Sequence, residues 1–220
     1  MRRGDGRLAE LSGFVAVAVA VLIGLGALAV IAAFTFSVTV KGDSMEPTLK
    51  AGDRIDIDLL HRDRVERFDL VTAREPTPPD PVEGPSGGVN GGAVVVKRVI
   101  GMPGDRVRIT GGLHPEVYLK PAGSETTYLL SSPTWSDQVG NAISSCCTSD
   151  GVMTPNGGAG AWATVPAASY WVLGDNWGRS TDSRIFGWVP EKLVQNRLIW
   201  RVTPWSRHGR IPNPVTMSPA

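Results

Sequence analysis

The stretch Val40-Lys41-Gly42-Asp43-Ser44-Met45-Glu46-Pro47-Thr48-Leu49 divides the chain into two kinds of sequence. Before it, Leu11 to Val40 carries no charged residue, and Leu11–Phe36 is nearly all Ala, Val, Leu, Ile and Phe with isolated Gly. After it, Gly, Pro and β-branched residues punctuate every segment, which leaves no room for a second long helix. A mostly β fold behind one N-terminal helix is expected. Within the stretch, Gly42, Asp43 and Pro47 put Ser44 on an open bend. Such a bend serves equally as an ordinary surface turn or as the seat of a nucleophile.

Working outward toward the N-terminus, about 20 apolar residues at roughly 1.5 Å each cover a hydrocarbon core of about 30 Å. Leu11–Phe36 meets that length. A cleavable signal peptide with Ala27-Leu28-Ala29 as its cleavage site is the alternative, but its apolar region would run only about 7–15 residues. Arg2, Arg3 and Arg7 precede the run, and Lys41 follows it. The positive-inside rule therefore predicts a cytoplasmic tail over 1–10, a transmembrane helix over 11–36 and an extracytoplasmic domain over 37–205, anchored in the plasma membrane. With 22 basic and 21 acidic residues among 220, the charge balance gives no argument for nucleic acid. His61, His114 and His208 lack ligand spacing, so no metal site is expected. Cys146 and Cys147 are adjacent, where a bridge needs a strained ring, and two unpaired thiols are expected.

Toward the C-terminus, Arg54–Leu59, Phe68–Thr72, Ala93–Ile100 and Arg106–Ile109 read as strands from their alternation or their run of valines. Glu75–Gly92, with five Pro and five Gly, reads as a loop. Residues 110–165 read as an insertion holding a hairpin or two. Ser169–Leu173 and Arg197–Val202 read as strands and Glu191–Val194 as one helical turn, with 206–220 as a flexible tail. Trp171 and Trp200 are expected in the core, and Trp177 or Trp188 near lipid headgroups.

A serine nucleophile needs a base and oxyanion donors. Lys97 follows three valines and precedes Val99-Ile100, so its amine either lies in low dielectric, where the neutral form is favoured, or snorkels to water from a strand edge. Arg98 points to the opposite face of a strand, with Asp182 as a candidate ion-pair partner. The loop Gly174–Arg184 crowds Asp175, Asn176, Ser180, Asp182, Ser183 and Arg184 into one turn. It reads either as a self-satisfied structural turn or as support for the amine, through a hydroxyl such as Ser180.

Three clusters, Gly42–Leu49, Lys97–Asp105 and Gly174–Gly187, occur in this order behind the apolar segment. Together they resemble the bacterial type I signal peptidases, over roughly residues 11–202 with the loops at 75–92 and 110–165 unmatched. The resemblance implies a β-rich catalytic fold that uses no cofactor and releases exported preproteins by cutting after small-x-small sequences. It implies Ser44 as nucleophile, Lys97 as general base, Ser180 positioning the lysine amine, and Asp182 with Arg184 as a supporting ion pair. The oxyanion would be held by the Ser44 N–H; some members use a serine hydroxyl as second donor at the place of Gly42. Trp177-Gly178-Arg179 departs from the more polar residues usual there. Exported preproteins, the lipid bilayer and the secretion translocon are the implied partners.

Chain length alone adds that Ser44, four residues past Val40, lies within about 13 Å of the membrane edge at about 3.3 Å per residue. Val38, Val40, Met45, Leu49, Val94 and Val96 are then expected to form shallow pockets beside an extended substrate strand. Two rivals stay open. One is a membrane-anchored binding module in which Ser44 is only a turn residue. The other is a self-cleaving serine–lysine regulatory protease, against which the apolar segment argues.

Overall fold

The uncharged run as far as Thr35 folds within α1 (Asp5–Thr35), 31 residues in one helix. Within it Gly13–Ala32 is long and apolar enough to cross a membrane, with a mean hydropathy of 2.9 and no buried residue. The computed structural model describes residues 5–61, 64–76, 92–110, 115–135 and 160–220, with the side chains of 5–12 and 33–34 left aside. His114, Cys146, Cys147, most of 75–92 and the middle of 110–165 lie outside the described residues. The chain forms two units, one ending at Ser37 and one from Val38 to Ala220.

Strands β1 (Ser37–Thr39), β2 (Arg54–Ile57), β3 (Leu70–Arg74) and β4 (Val94–Gly101) come first along the chain. They are followed by β5 (Arg106–Ile109), β6 (Val117–Lys120), β7 (Tyr128–Ser131), β8 (Ala163–Thr164) and β9 (Ser169–Leu173). A four-residue helix, α2 (Ser183–Phe186), precedes β10 (Val189–Pro190), β11 (Val194–Thr203), β12 (Gly209–Arg210) and β13 (Thr216–Pro219). One sheet runs β1-β2-β11-β3-β4-β9-β10, with β12 on β11; the other runs β13-β7-β6-β5-β8. The fold is mostly β, as expected, and the strand reading of Arg54–Leu59, Ala93–Ile100, Arg106–Ile109 and Ser169–Leu173 matches β2, β4, β5 and β9.

The alternation that makes these segments strands also sorts their side chains into cores. Val107, Ile109, Val117, Leu119 and Leu130 of the second sheet pack with Trp171, Leu173, Trp135 and Trp177. Val40, Met45, Leu49, Ile55, Leu70 and Leu198 form a second cluster under the first sheet. A third, including Val71, Ala73, Val99 and Val172, holds β3, β4 and β9 together.

The described parts of 110–165 hold a hairpin, β6 with β7, whose strands are interior to the second sheet and whose inward residues fill its core. Three expectations are corrected. The tail over 206–220 is not loose. Gly209 and Arg210 pair with Arg201 and Trp200, and Thr216–Pro219 pair with Tyr128–Ser131. Its prolines read as breakers, but Pro219 ends a strand at the sheet's edge, where a missing N–H breaks no ladder. Trp200 is exposed, because register shifts on either side of Trp200-Arg201 turn it outward after the buried Leu198. Trp177, one of the two candidates for a headgroup contact, is buried against Trp135 at 4.8 Å between ring centroids.

Candidate active site

The bend at Ser44 is closed by local hydrogen bonds, Glu46 N–H to Asp43 O and Leu49 N–H to Met45 O. Its far end is anchored by Arg201, a buried cation that donates to Thr48 O and pairs with Asp53. Across from the bend lies β4. Lys97 Nζ donates to Ser44 Oγ at 2.9 Å. The lysine is only 2% exposed, so the snorkelling alternative does not describe it. Burial pushes its amine below the usual lysine value; Asp182 and then Glu75 oppose the shift, and Arg184 adds to it. An amine so placed can take the hydroxyl proton, and the hydroxyl has no other hydrogen-bond partner among the described residues.

The loop after β9 closes over this pair from above. Asn176 N–H donates to Ser44 O at 2.9 Å, and Asn176 Nδ2 donates to Asp43 O at 3.0 Å. Gly174 allows that approach. A Cβ there would stand 2.1 Å from Ser180 Oγ and 2.6 Å from Ser44 O, so no side chain fits. The loop is itself held by Asp182, whose carboxylate takes Gly174 N–H at 3.0 Å and Arg184 Nε and Nη2 at 2.8 Å each. Asp182 and Arg184 are therefore the ion pair expected of them.

Arg98 pairs with Asp175 and not with Asp182. Its Nε and Nη2 meet the Asp175 carboxylate at 2.9 and 2.6 Å, and its Nη1 meets Phe68 O. The reason is register: Arg98 stands opposite Leu173, so the chain leaving β9 brings Asp175 to it, while Asp182 is taken by Arg184. The Ser180 hydroxyl is buried beside Gly174 and has no hydrogen-bond partner among the described residues, Lys97 included. In the departing stretch Trp177-Gly178-Arg179, the Trp177 ring packs under the Arg184 guanidinium at 5.1 Å. Arg179 reaches Asp43 at 2.6 Å and, by that bond first, holds its carboxyl below the usual range.

A cleft of about 600 Å³ opens beside Ser44. Val38, Val40, Met45, Val94 and Val96 line it, as expected; Leu49 does not, being wholly buried in the core beneath. Two strand edges face this cleft. β1 ends its sheet, and β4 is paired with β9 only from Arg98 onward, leaving the other edge of Val94–Lys97 without a strand among the described residues. The Ser44 N–H has no acceptor among the described residues, and the space beside the Gly42 Cα is open, with no side-chain donor there. A second cavity of about 390 Å³, between Phe68–Leu70, Arg197–Ile199 and Arg210–Asn213, shares no lining residue with the cleft. Among the described residues no three His, Cys, Asp or Glu side chains converge as metal ligands.

The comparison with known proteins turns on one match: residues 12–205 fit the model of the family described as signal peptidase, peptidase S26. The chain belongs to the type I signal peptidases of that family. It is similar to a signal peptidase I of Leptolyngbya laminosa, 28% identical over 93% of this chain and 85% of the relative. It is equally similar to signal peptidase IB of Staphylococcus aureus, 28% identical over 80% and 82%. A solved signal peptidase I from Enterococcus faecalis, 26% identical, covers 61% of this chain and 97% of its own, with a TM-score of 0.39. The enzyme is thus a serine peptidase that removes signal peptides from preproteins.

Asp175, Asn176, Gly174 and Arg201 are the site residues that sequence reasoning gave no individual role. The first three stood in a loop already singled out; for them the only local signal was crowding. Arg201 lies 153 residues from Thr48 and carried none.

Proposed function

We propose that the enzyme is a membrane-anchored endopeptidase that cuts exported preproteins after small-x-small sites, with Ser44 as nucleophile and Lys97 as general base. The observation that carries this reading is the 2.9 Å contact between Ser44 Oγ and the buried amine of Lys97. Neutral Lys97 takes the Ser44 proton as Oγ attacks the scissile carbonyl, and the unspent Ser44 N–H receives the developing oxyanion. The ammonium then protonates the leaving amine, and the neutral amine activates the water that releases the acyl group. Ser180, whose buried hydroxyl has no partner among the described residues, takes over the hydrogen bond of the amine once Ser44 Oγ is acylated. Asp182 and Arg184 hold the loop that carries it.

The substrate pairs as an extended strand between the open edges of β1 and β4, and the valines and Met45 leave room for small side chains. A helix apolar on every face suits α1 to lipid. The basic residues before it support a cytoplasmic N-terminus and a catalytic unit on the outer side of the plasma membrane. The bilayer and the secretion translocon, which delivers the preprotein, are the further partners of this reading.

The test is cleavage of a purified preprotein bearing an Ala-x-Ala site by the full chain in detergent. Wild type is expected to yield the mature N-terminus after the second Ala, and Ser44→Ala to lower kcat by on the order of 10⁶, to background. Retention of cleavage by Ser44→Ala would remove Ser44 from the mechanism; binding without cleavage by wild type would favour a binding module.

A further inference from the structure

The cleft is lined by valines and Met45, with one buried polar side chain in its floor. Thr72 is 2% exposed, lies on β3 and is among the residues that line the cleft. Its register partners are Val96 on β4 and Asn196 on β11, so the three side chains form a row across one face of the sheet. Asn196 Nδ2 donates to Thr72 Oγ1 at 3.1 Å. That bond occupies a lone pair of the hydroxyl and leaves its proton with no acceptor among the described residues. A buried hydroxyl in an apolar pocket costs free energy unless both its capacities are met, and the side open to Thr72 is the cleft.

We infer that Thr72, oriented by Asn196, is a specificity residue that hydrogen-bonds a hydroxyl on the substrate and so raises serine relative to alanine at one of the two small positions of the cleavage site. The inference rests on the proposed reading of the cleft as the preprotein site. Alanine at that position leaves the Thr72 proton unpaired or bonded to water. Serine adds one oxygen in the same volume class, and that oxygen accepts the proton. Thr72 touches the substrate and not the reacting atoms, so it acts on the choice among substrates.

The test uses the full chain in detergent and three versions of one preprotein, with Ala-x-Ala, Ser-x-Ala and Ala-x-Ser sites. Within each enzyme the kcat/KM for a serine site is divided by that for Ala-x-Ala, so a general loss of activity cancels. Thr72→Val is expected to lower that ratio about three- to tenfold at one position and leave it unchanged at the other, the size of one neutral hydrogen bond. Thr72→Ser restores the ratio, and Asn196→Leu lowers it at the same position, which keeps the inference testable if Thr72→Val folds poorly. Unchanged ratios at both positions in Thr72→Val and Asn196→Leu overturn this inference alone. No cleavage of any version by wild type overturns it together with the proposed function.

Discussion

Replacing Lys97 by Met is expected to lower kcat/KM on a preprotein by about 10²–10⁴ while leaving the melting temperature at pH 7 equal to or above that of wild type. The loss is the usual contribution of a positioned general base. The retained stability follows from the direction of the lysine's shift. Its amine titrates below the ordinary 10.5 because burial disfavours the ammonium. At pH values below that lowered pKa the folded chain bears the full cost of a buried charge. The cost fades as pH rises through the folded value toward 10.5, so this group makes the chain more stable with rising pH in that window. Methionine fills a similar volume without charge and removes the cost. A lysine kept for a structural ion pair would behave oppositely, because its removal would strand a buried carboxylate. Thermal unfolding beside steady-state kinetics separates the two.

Asp175→Ala is expected to destabilise the catalytic unit by about 3–5 kcal/mol, since it leaves Arg98 buried without a counter-ion. For a chain of this size that lowers the melting temperature by about 6–20 °C. Arg98 is 1% exposed and Asp175 is fully buried, so neither charge finds water when its partner is lost. The double variant Arg98→Met/Asp175→Leu is expected to regain most of the loss, because no uncompensated charge remains. Its activity stays below wild type, since Asp175 sits between Gly174 and Asn176, and Asn176 holds the Ser44 carbonyl. A double-mutant cycle read by calorimetry checks both statements.

What was legible in the sequence were the features encoded locally. The length of the uncharged run announced α1, the valines before Lys97 announced a strand, and Gly42, Asp43 and Pro47 announced a bend at Ser44. What was illegible depended on which segments meet. Asp182 was the candidate partner of Arg98, and only the register of β4 against β9 brings Asp175 to it instead. Leu49 and Met45 are both apolar residues of one short turn and both pack in the core, yet only Met45 also reaches the cleft. The strand at Thr216–Pro219 has no pattern of its own; it forms because β7 offers an open edge to pair with. Trp200 looked inward from its place in an apolar run, until a bulge shifted the alternation by one residue.

The central claim is that a buried, neutral Lys97 amine takes the Ser44 proton. Its most direct test is the titration of the Lys97 ammonium in the full chain, followed by NMR of ¹⁵Nζ-labelled lysine with Lys97→Met to assign the signal, beside the pH profile of kcat/KM. The account predicts a Lys97 midpoint below 10.5 that coincides with the acid limb of the profile, activity rising as the amine loses its proton. A Lys97 midpoint at or above 10.5, or an acid limb that persists unchanged in residual Lys97→Met activity, would contradict it.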